Sequence, residues 1–350
     1  MAYTAIDNPE LHFQVQLYTG NGSANNAITL GGDEDMQPDL VWIKNRDTTD
    51  SHCLFDALRG ATEVLHPDAT SNEATDADTL DSFAADGFQV DADVKVNTNT
   101  EKYVASCWKA NGTGSSNTDG SINTTATSAN TAAGFSIMTW VGTGSAATIG
   151  HGLGAVPTWF VVRNRGVPVG GDAWANYSVH LGNTYRVNWD RTTAPNSGTN
   201  YWNNTTPTST LITVGADGST NADGLPMLTY AWTPIQGFSK FGKYTGNGDT
   251  DGAFAYCGFL PAWLMIKKTD TQDNWMMFDN KREGYNADND VLLTNNPIAE
   301  TTTDYVDILA NGFKLRSADG AVNSADSDYI FMAFAEAPFV NSEGVPCNAR

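Results

Sequence analysis

The apolar residues of this chain form short runs separated by stretches rich in Gly, Asn, Asp and Pro. Runs of Val, Ile, Phe, Tyr and Trp with such boundaries are typical of β-strands. The central runs, such as Leu40–Ile43, are apolar at consecutive positions. This predicts strands buried on both faces, or modules whose outer face packs on a neighbour. Helical periodicity never lasts beyond about two turns, with Asp56–Gly60 the nearest approach, so the pattern predicts an all-β fold.

The strand-like runs recur three times in one order, and such a repeat determines the architecture. The first landmark is an aromatic residue that opens a Gly-rich turn, found at Tyr18–Gly22, Trp140–Gly144 and Tyr244–Gly248. The second is a proline followed six positions later by a basic residue, at Pro38 and Lys44, Pro157 and Arg163, and Pro261 and Lys267. The third is an Asn six positions before an apolar strand, at Asn97, Asn221 and Asn323.

These landmarks predict three tandem related β-sandwich modules, jelly-roll or lectin-like, of about 100 residues each. We call them repeats 1, 2 and 3, and predict an N-terminal arm at 1–12, repeat 1 at 13–110, a linker at 111–134, repeat 2 at 135–234, repeat 3 at 235–340 and a C-terminal tail at 341–350. The linker is rich in Gly, Ser, Thr and Asn, so it is either a spacer or an extended arm lying on a neighbour. Repeats 2 and 3 nearly adjoin, so we expect them to be rigidly docked and repeat 1 to be oriented separately.

Charge excludes several functions. The chain has 40 acidic and 19 basic residues, a formal net charge of -21 and a pI near 4.3. This is the wrong sign for nucleic acid or for an anionic membrane surface. No apolar stretch approaches the roughly 18 residues of a membrane span, and no export signal is recognisable, so we expect synthesis in the cytoplasm without membrane insertion. The four cysteines are far apart, which predicts free and mostly buried thiols.

Catalytic chemistry has little support in the sequence. The five histidines are scattered singly, and neither a nucleophile elbow nor a phosphate-binding loop is present. We therefore predict no enzyme, no cofactor and no metal site. A pair of glycosidase carboxylates leaves no sequence motif, so that alternative stays open. Acidic clusters such as Asp33–Asp35 and Asp249–Asp251 carry calcium-type oxygen ligands without the spacing of a calcium loop, and solvated turns are the simpler interpretation.

The ten tryptophans divide into two groups. Those on landmark strands are predicted to be core residues: Trp42, Trp108, Trp140, Trp159, Trp232 and Trp263. The remaining four lie with several tyrosines in the variable middles of repeats 2 and 3, and give the candidate binding residues Trp174, Tyr177, Trp189, Tyr201, Trp202, Trp275 and Tyr285. Aromatic rings on loops stack on sugar faces or anchor protein contacts, while packing is the alternative for each of them.

Several segments resemble a known family. The Gly-rich turns, Tyr103–Lys109, Gly237–Gly248 and the closing Ala335–Phe339 are similar to an uncharacterised repeat-module family of tailed-bacteriophage virion structural proteins. The resemblance runs from about residue 13 to the C-terminus. It implies tail fibre-like proteins with concanavalin A-like sandwich modules, and it carries no catalytic residue.

The resemblance supports two functions. One is a tail-associated fibre or adhesin on the virion surface that contacts a host-surface glycan or protein, as a homo-oligomer with a trimer favoured for avidity. The other is a capsid or tail decoration protein that binds only other virion proteins. Only about twelve residues precede repeat 1, which favours decoration or a fibre anchored through that repeat. Of the two functions we expect the tail-associated fibre or adhesin, with decoration as the alternative.

Overall fold

The structure is a computed structural model that describes residues 3–166, 173–282, 286 and 290–348. The all-β prediction is confirmed, since the described residues form strands, one 3-10 turn (Pro9–Leu11) and three helices of four residues each. None of these helices is long and apolar enough to cross a membrane within the described ranges. The strands of each sequence repeat form one large and one small antiparallel sheet.

Repeat 1 contains β1 (Phe13–Thr19), β2 (Asn26–Ile28), β3 (Leu40–Asn45), β4 (Cys53–Asp56), β5 (Gly60–Leu65), β6 (Ala74–Thr75), β7 (Leu80–Ala84), β8 (Gly87–Val90), the helical turn α1 (Val94–Asn97) and β9 (Lys102–Trp108). The large sheet has the order β1-β9-β3-β4-β5-β6 and the small sheet the order β2-β8-β7.

Repeat 2 contains β11 (Phe135–Val141), β12 (Ala147–Gly150), β13 (Trp159–Asn164), β14 (Ala175–Ser178), β15 (Tyr185–Asn188), β16 (Asn196–Ser197), β17 (Leu211–Val214), α2 (Gly218–Asn221) and β18 (Pro226–Trp232), preceded by β10 (Ala126–Asn130) from the predicted linker. The large sheet has the order β10-β11-β18-β13-β14-β15-β16, and β12 pairs with β17.

Repeat 3 contains β19 (Ser239–Thr245), β20 (Phe254–Tyr256), β21 (Phe259–Lys268), β22 (Trp275–Asp279), β23 (Asp290–Leu293), β24 (Thr301–Thr302), β25 (Val306–Leu309), β26 (Gly312–Leu315), α3 (Gly320–Asn323) and β27 (Asp328–Pro338). Its sheets have the orders β19-β27-β21-β22-β23-β24 and β20-β26-β25. The strand order of the large sheet therefore matches that of repeat 1, element for element.

Each large sheet is buried on both faces. On β3, Leu40 and Trp42 belong to a central cluster, whereas Val41 and Ile43 pack with the small sheet of their own repeat. The central cluster also contains Trp159 of repeat 2 and Trp263 of repeat 3, so the three large sheets share one core. This explains why the landmark strands are apolar at consecutive positions, as the sequence predicted for a module that packs on its neighbour. All six landmark-strand tryptophans are buried there or between sheets.

Equivalent hydrogen bonds join the repeats in a closed ring. Trp174 Nε1 of repeat 2 donates to His66 O of repeat 1 at 2.9 Å. Trp275 Nε1 of repeat 3 donates to Asn188 O of repeat 2 at 2.7 Å. His52 Nε2 of repeat 1 lies 3.0 Å from Leu293 O of repeat 3 and closes the ring. The repeats therefore surround their shared core in an approximately three-fold arrangement.

The expectation that repeat 1 is oriented separately is wrong. Trp42 packs at 5.2 Å from Trp189 of repeat 2 and at 6.5 Å from Trp263 of repeat 3, measured between ring centroids. The 111–134 segment is an arm lying on repeat 2, because its β10 pairs with β11 and Ile122 N donates to Thr148 O at 3.0 Å. Docking is set by the apolar faces that meet, whatever the length of the chain between them.

The Gly-rich turns and the landmark asparagines form one unit in each repeat. Asn97 is fully buried, and its Oδ1 accepts from Asn21 N at 2.9 Å while its Nδ2 donates to Ser23 O at 2.8 Å. The same acceptor geometry joins Asn221 to Thr143 N and Asn323 to Asn247 N. In repeat 1 a side chain at Gly20 would lie 2.1 Å from Thr98 O, so only glycine fits there. The first and third landmarks are thus structural.

The landmark basic residues are also structural. Lys44, Arg163 and Lys267 are at most 1% exposed. Lys267 Nζ donates to Thr192 O of repeat 2 at 2.9 Å, and Arg163 Nη2 donates to Ser71 O of repeat 1 at 2.5 Å. Burial lowers the pKa of Lys267 to about 8. Because its ammonium donates to one carbonyl of repeat 2 and to Asp273 O of its own repeat, this lysine joins repeats 2 and 3.

Candidate functional site: a groove along β19

The structure corrects the aromatic residues that the sequence offered as a binding site. The six described members are at most 7% exposed: Trp174, Tyr177, Trp189, Tyr201, Trp202 and Trp275. Two of them carry the ring of hydrogen bonds between repeats, and Tyr177 stacks on Phe160 at 4.6 Å. With no exposed ring face they cannot stack on a ligand, and packing is their role. Tyr285 lies outside the described residues.

Exposed aromatic residues occur instead beside β19, in repeat 3. Phe254 and Tyr256 of β20 are 45% and 55% exposed, and the residue between them is buried. Side chains alternate along a strand, so both rings stand on the same outer face. Tyr3 of the N-terminal arm is 59% exposed and lines the same region. Large exposed aromatic side chains in one place mark a binding surface.

These rings border a groove, which we call the β19 groove. It consists of two adjoining cavities of about 660 and 300 Å³, and Lys240, Phe241 and Tyr256 line both. The larger cavity extends towards Tyr3 and the exposed carboxamide of Gln236. The smaller one extends along Gly242 and Lys243 to the exposed His180 of repeat 2. Ligand clefts typically enclose about 300–1,000 Å³, so the groove has the size of a binding site.

The described residues that line the groove include no carboxylate, although the chain carries 40 acidic side chains. They do include Lys240 and Lys243. The Lys240 ammonium lies 5.6 Å from the ring centroid of Tyr256, a cation–π distance. Lys243 is exposed and forms no ion pair among the described residues. This lining is therefore basic and aromatic on a strongly acidic molecule.

One backbone edge of β19 faces the groove. The other edge pairs with β27 along the whole strand. His180 Nε2 lies 3.0 Å from the outward carbonyl oxygen of Phe241, so repeat 2 caps part of the free edge. At the equivalent edge of repeat 2, β10 pairs with β11 and fills the corresponding space. The third equivalent edge, on β1, borders a cavity of about 250 Å³.

The β1 cavity differs in charge from the β19 groove. Its lining includes Glu10, Glu336 and Lys281, and Lys281 Nζ is paired with Glu336 Oε1 at 3.0 Å. It lacks exposed aromatic rings. Of the three equivalent edges, that of repeat 3 alone combines open space, aromatic rings and unpaired cations in the part of the chain that the structure describes.

Nucleophilic chemistry has no support at this groove. Cys257 lines it, but burial raises the pKa of the thiol to about 12, so it stays protonated near neutral pH.

Cys53, Cys107 and Cys257 are free and buried, as the sequence predicted, and Cys347 is free and exposed. Across the described ranges, no group of three or more His, Cys, Asp or Glu side chains could hold a metal ion. Of the acidic residues, Asp217 caps α2 and Asp251 pairs with Lys314 at 2.7 Å.

The sequence did carry a signal for the groove. Phe254 and Tyr256 flank the small residue Ala255, and the segment is bounded by glycines. This is the pattern of a short strand with one aromatic face. Lys240 and Lys243 belong to the Gly237–Gly248 segment on which the family resemblance rests. The residues that line the groove are separated by up to about 340 positions in the chain, so their proximity depended on the arrangement of the repeats.

A comparison with protein families matches residues 8–338 to the model described as a domain of unknown function, DUF7483. The chain belongs to the DUF7483 family. The match spans all three sequence repeats together with the 111–134 arm, so the ring described above is one DUF7483 domain. No curated protein matches the chain.

Proposed function

We propose that this DUF7483 chain is a structural protein of a tailed-bacteriophage virion and that it contacts the host surface as a tail-associated fibre or adhesin. The β19 groove is the contact site. The observation that carries the proposal is the pair of exposed rings, Phe254 and Tyr256, above a groove lined by cations. Aromatic rings with a polar surround are suited to sugar faces and to protein anchors alike. The virion assignment is supported by the sequence resemblance described above.

Adsorption to host cells tests this proposal. The fluorescently labelled chain is expected to bind host cells, and the double variant Phe254→Ala/Tyr256→Ala is expected to bind at least tenfold more weakly, because both stacking surfaces are lost. Tyr185→Ala is the matched control, since Tyr185 is 41% exposed and does not line the groove. Cell-bound fluorescence as a function of protein concentration gives the apparent Kd. An intact chain that leaves host cells unlabelled at micromolar concentration would contradict the adhesin function.

A second function, decoration of the capsid or tail, is favoured by the approximately three-fold ring of repeats. Such a chain places three related repeats around one core and suits a position where three virion subunits meet. Copy number separates the two functions. Hundreds of copies per virion by quantitative mass spectrometry, in proportion to the major capsid protein, would support decoration, whereas six to eighteen copies would support a fibre.

A further inference from the structure

We propose that the β19 groove binds an acidic polysaccharide, a chain of sugars that carry carboxylate or sulfate groups. The inference rests on the proposed contact function and specifies its ligand. It follows from three properties of the groove: the sign of its charge, its aromatic rings and the state of its backbone edge.

The charge selects an anion. Lys240 and Lys243 lie on opposite faces of β19, because side chains alternate along a strand, and both border the groove. Among the described residues the lining has no Asp or Glu, so none of them neutralises these ammonium groups or repels an anionic ligand. The chain as a whole has a net charge of -21 and repels polyanions. An anion that binds this molecule is therefore directed to the groove.

The rings select a sugar. Tyr256 is more than half exposed and Phe254 nearly so, and both stand on one face of β20. Stacking on an apolar sugar face uses such surfaces. Gln236 supplies an exposed carboxamide that can donate to and accept from hydroxyl groups. The two adjoining cavities, about 660 and 300 Å³, favour a chain of several sugars over one sugar unit.

The backbone edge of β19 argues against an acidic peptide, the other anionic polymer that could bind here, by pairing as an added strand. A peptide added as a strand needs the outward carbonyl of Phe241, and His180 Nε2 already lies 3.0 Å from that oxygen. In repeat 2 the equivalent edge carries β10 from Phe135 to Thr139. The same edge therefore carries a paired strand in repeat 2 and is partly blocked to strand pairing in repeat 3.

Binding to defined polymers tests the inference. The probes are polygalacturonate for carboxylates, dextran sulfate for sulfates, neutral dextran and poly-glutamate, measured by calorimetry at low and at physiological ionic strength. We expect one or both charged polysaccharides to bind, dextran to bind at least tenfold more weakly, and the affinity to fall with salt. The stronger of the two charged polymers identifies the anion.

Variants assign the binding to the groove. Lys240→Gln/Lys243→Gln is expected to weaken charged-polysaccharide binding about a hundredfold, or about tenfold per cation, and Tyr256→Ala about tenfold. The control is Lys102→Gln, an exposed lysine on β9 of repeat 1. An unchanged affinity in the double lysine variant would overturn the inference. Equal binding of dextran, or of poly-glutamate, would overturn it as well, in favour of neutral sugars or acidic peptides.

The two proposals fail in different ways. If the chain adsorbs to host cells through Phe254 and Tyr256 but binds neither charged polysaccharide, the ligand class is wrong and the contact function stands. If it binds polygalacturonate or dextran sulfate through Lys240 and Lys243 but never adsorbs to host cells, the ligand class stands and the host-contact function is wrong.

Discussion

Single buried asparagines hold the turns of this protein, and each does so with both ends of its amide. Asn97 accepts from the amide of Asn21 and donates to the carbonyl of Ser23, so the Gly-rich turn is fixed to α1. Asp93 caps that helical turn by accepting from Lys95 N at 2.7 Å. A hydrophobic residue at position 97 would leave the Asn21 amide without its acceptor.

Replacing Asn97 therefore costs stability. Asn97→Ala is expected to lower the free energy of unfolding by about 2–4 kcal/mol, because several buried hydrogen bonds are lost together. Asn99→Ala, at an exposed position two residues away, is expected to change it by less than about 0.5 kcal/mol. Urea unfolding followed by tryptophan fluorescence measures both. Equal effects of the two substitutions would show that the buried amide does not hold the turn.

At the residue scale the sequence predicted the core well, but the aromatic residues that it offered for binding are buried. Trp42 and Trp263 were predicted as core residues because they lie on recurring apolar strands, and both are buried. Trp174 and Trp275 fall between landmarks, so the pattern could not show that they occupy the same place as His52. The equivalence becomes visible only through strand pairing. His52, Trp174 and Trp275 lie at or just before the first residue of β4, β14 and β22, the strands that pair with β3, β13 and β21.

At the scale of elements, strand ends join the repeats, and His52 is the one titratable group among the three equivalent donors. Its Nδ1 accepts from Trp42 Nε1 at 3.0 Å, so the neutral ring carries its proton on Nε2 and donates to Leu293 O. Burial, with the nearby Lys44 charge, lowers the pKa of His52 to about 3. A protonated ring would lose the bond from Trp42 and place a charge at the junction of repeats 1 and 3.

The junction should consequently weaken in acid. The pKa of His52 is about 3 in the folded chain and about 6.5 when unfolded, so the unfolded chain binds one more proton between these values. The stability that His52 contributes is complete above about pH 6.5 and is lost as the pH falls towards 3, with a limiting slope of about 1.4 kcal/mol per pH unit. Urea unfolding from pH 7.5 to 4.5 should show this slope in the native chain in excess of that in His52→Gln. Parallel slopes for the two proteins would contradict the assignment.

The 111–134 arm shows what composition alone leaves open at this scale. Its polar sequence is equally suited to a free spacer and to a strand that pairs with the sheet of a neighbouring repeat. Its side chains need not be apolar, because β10 is stabilised by backbone pairing with β11. Strand pairing of this kind depends on a free edge elsewhere in the chain, and no local pattern reports it.

For the whole molecule, the shared core couples the repeats. Leu40, Trp159 and Trp263 come from three different repeats and lie in one cluster. Between repeats 1 and 2, Tyr230 Oη also donates to the buried carboxylate of Asp56 at 2.7 Å. Separating any repeat would expose apolar faces that have no other cover.

Thermal unfolding is therefore expected to be a single transition. Differential scanning calorimetry should give a calorimetric enthalpy equal to the van't Hoff enthalpy, because no repeat can unfold while its neighbours keep their cores. Trp159→Ala, in repeat 2, should shift the one transition to lower temperature without splitting it. Two or more resolved transitions would indicate independent repeats and would restore the separate orientation that the sequence suggested for repeat 1.

Because the three repeats belong to one chain, the equivalent edges of the ring can carry different surfaces. An assembly of three identical subunits repeats every surface three times, so a change at one edge is a change at all three. Here the three edges are encoded separately: β11 is covered by β10, β1 borders an acidic cavity, and β19 borders a basic aromatic groove. Covalent linkage thus lets a symmetric framework carry one asymmetric surface, and the ring forms at any dilution because its members cannot dissociate.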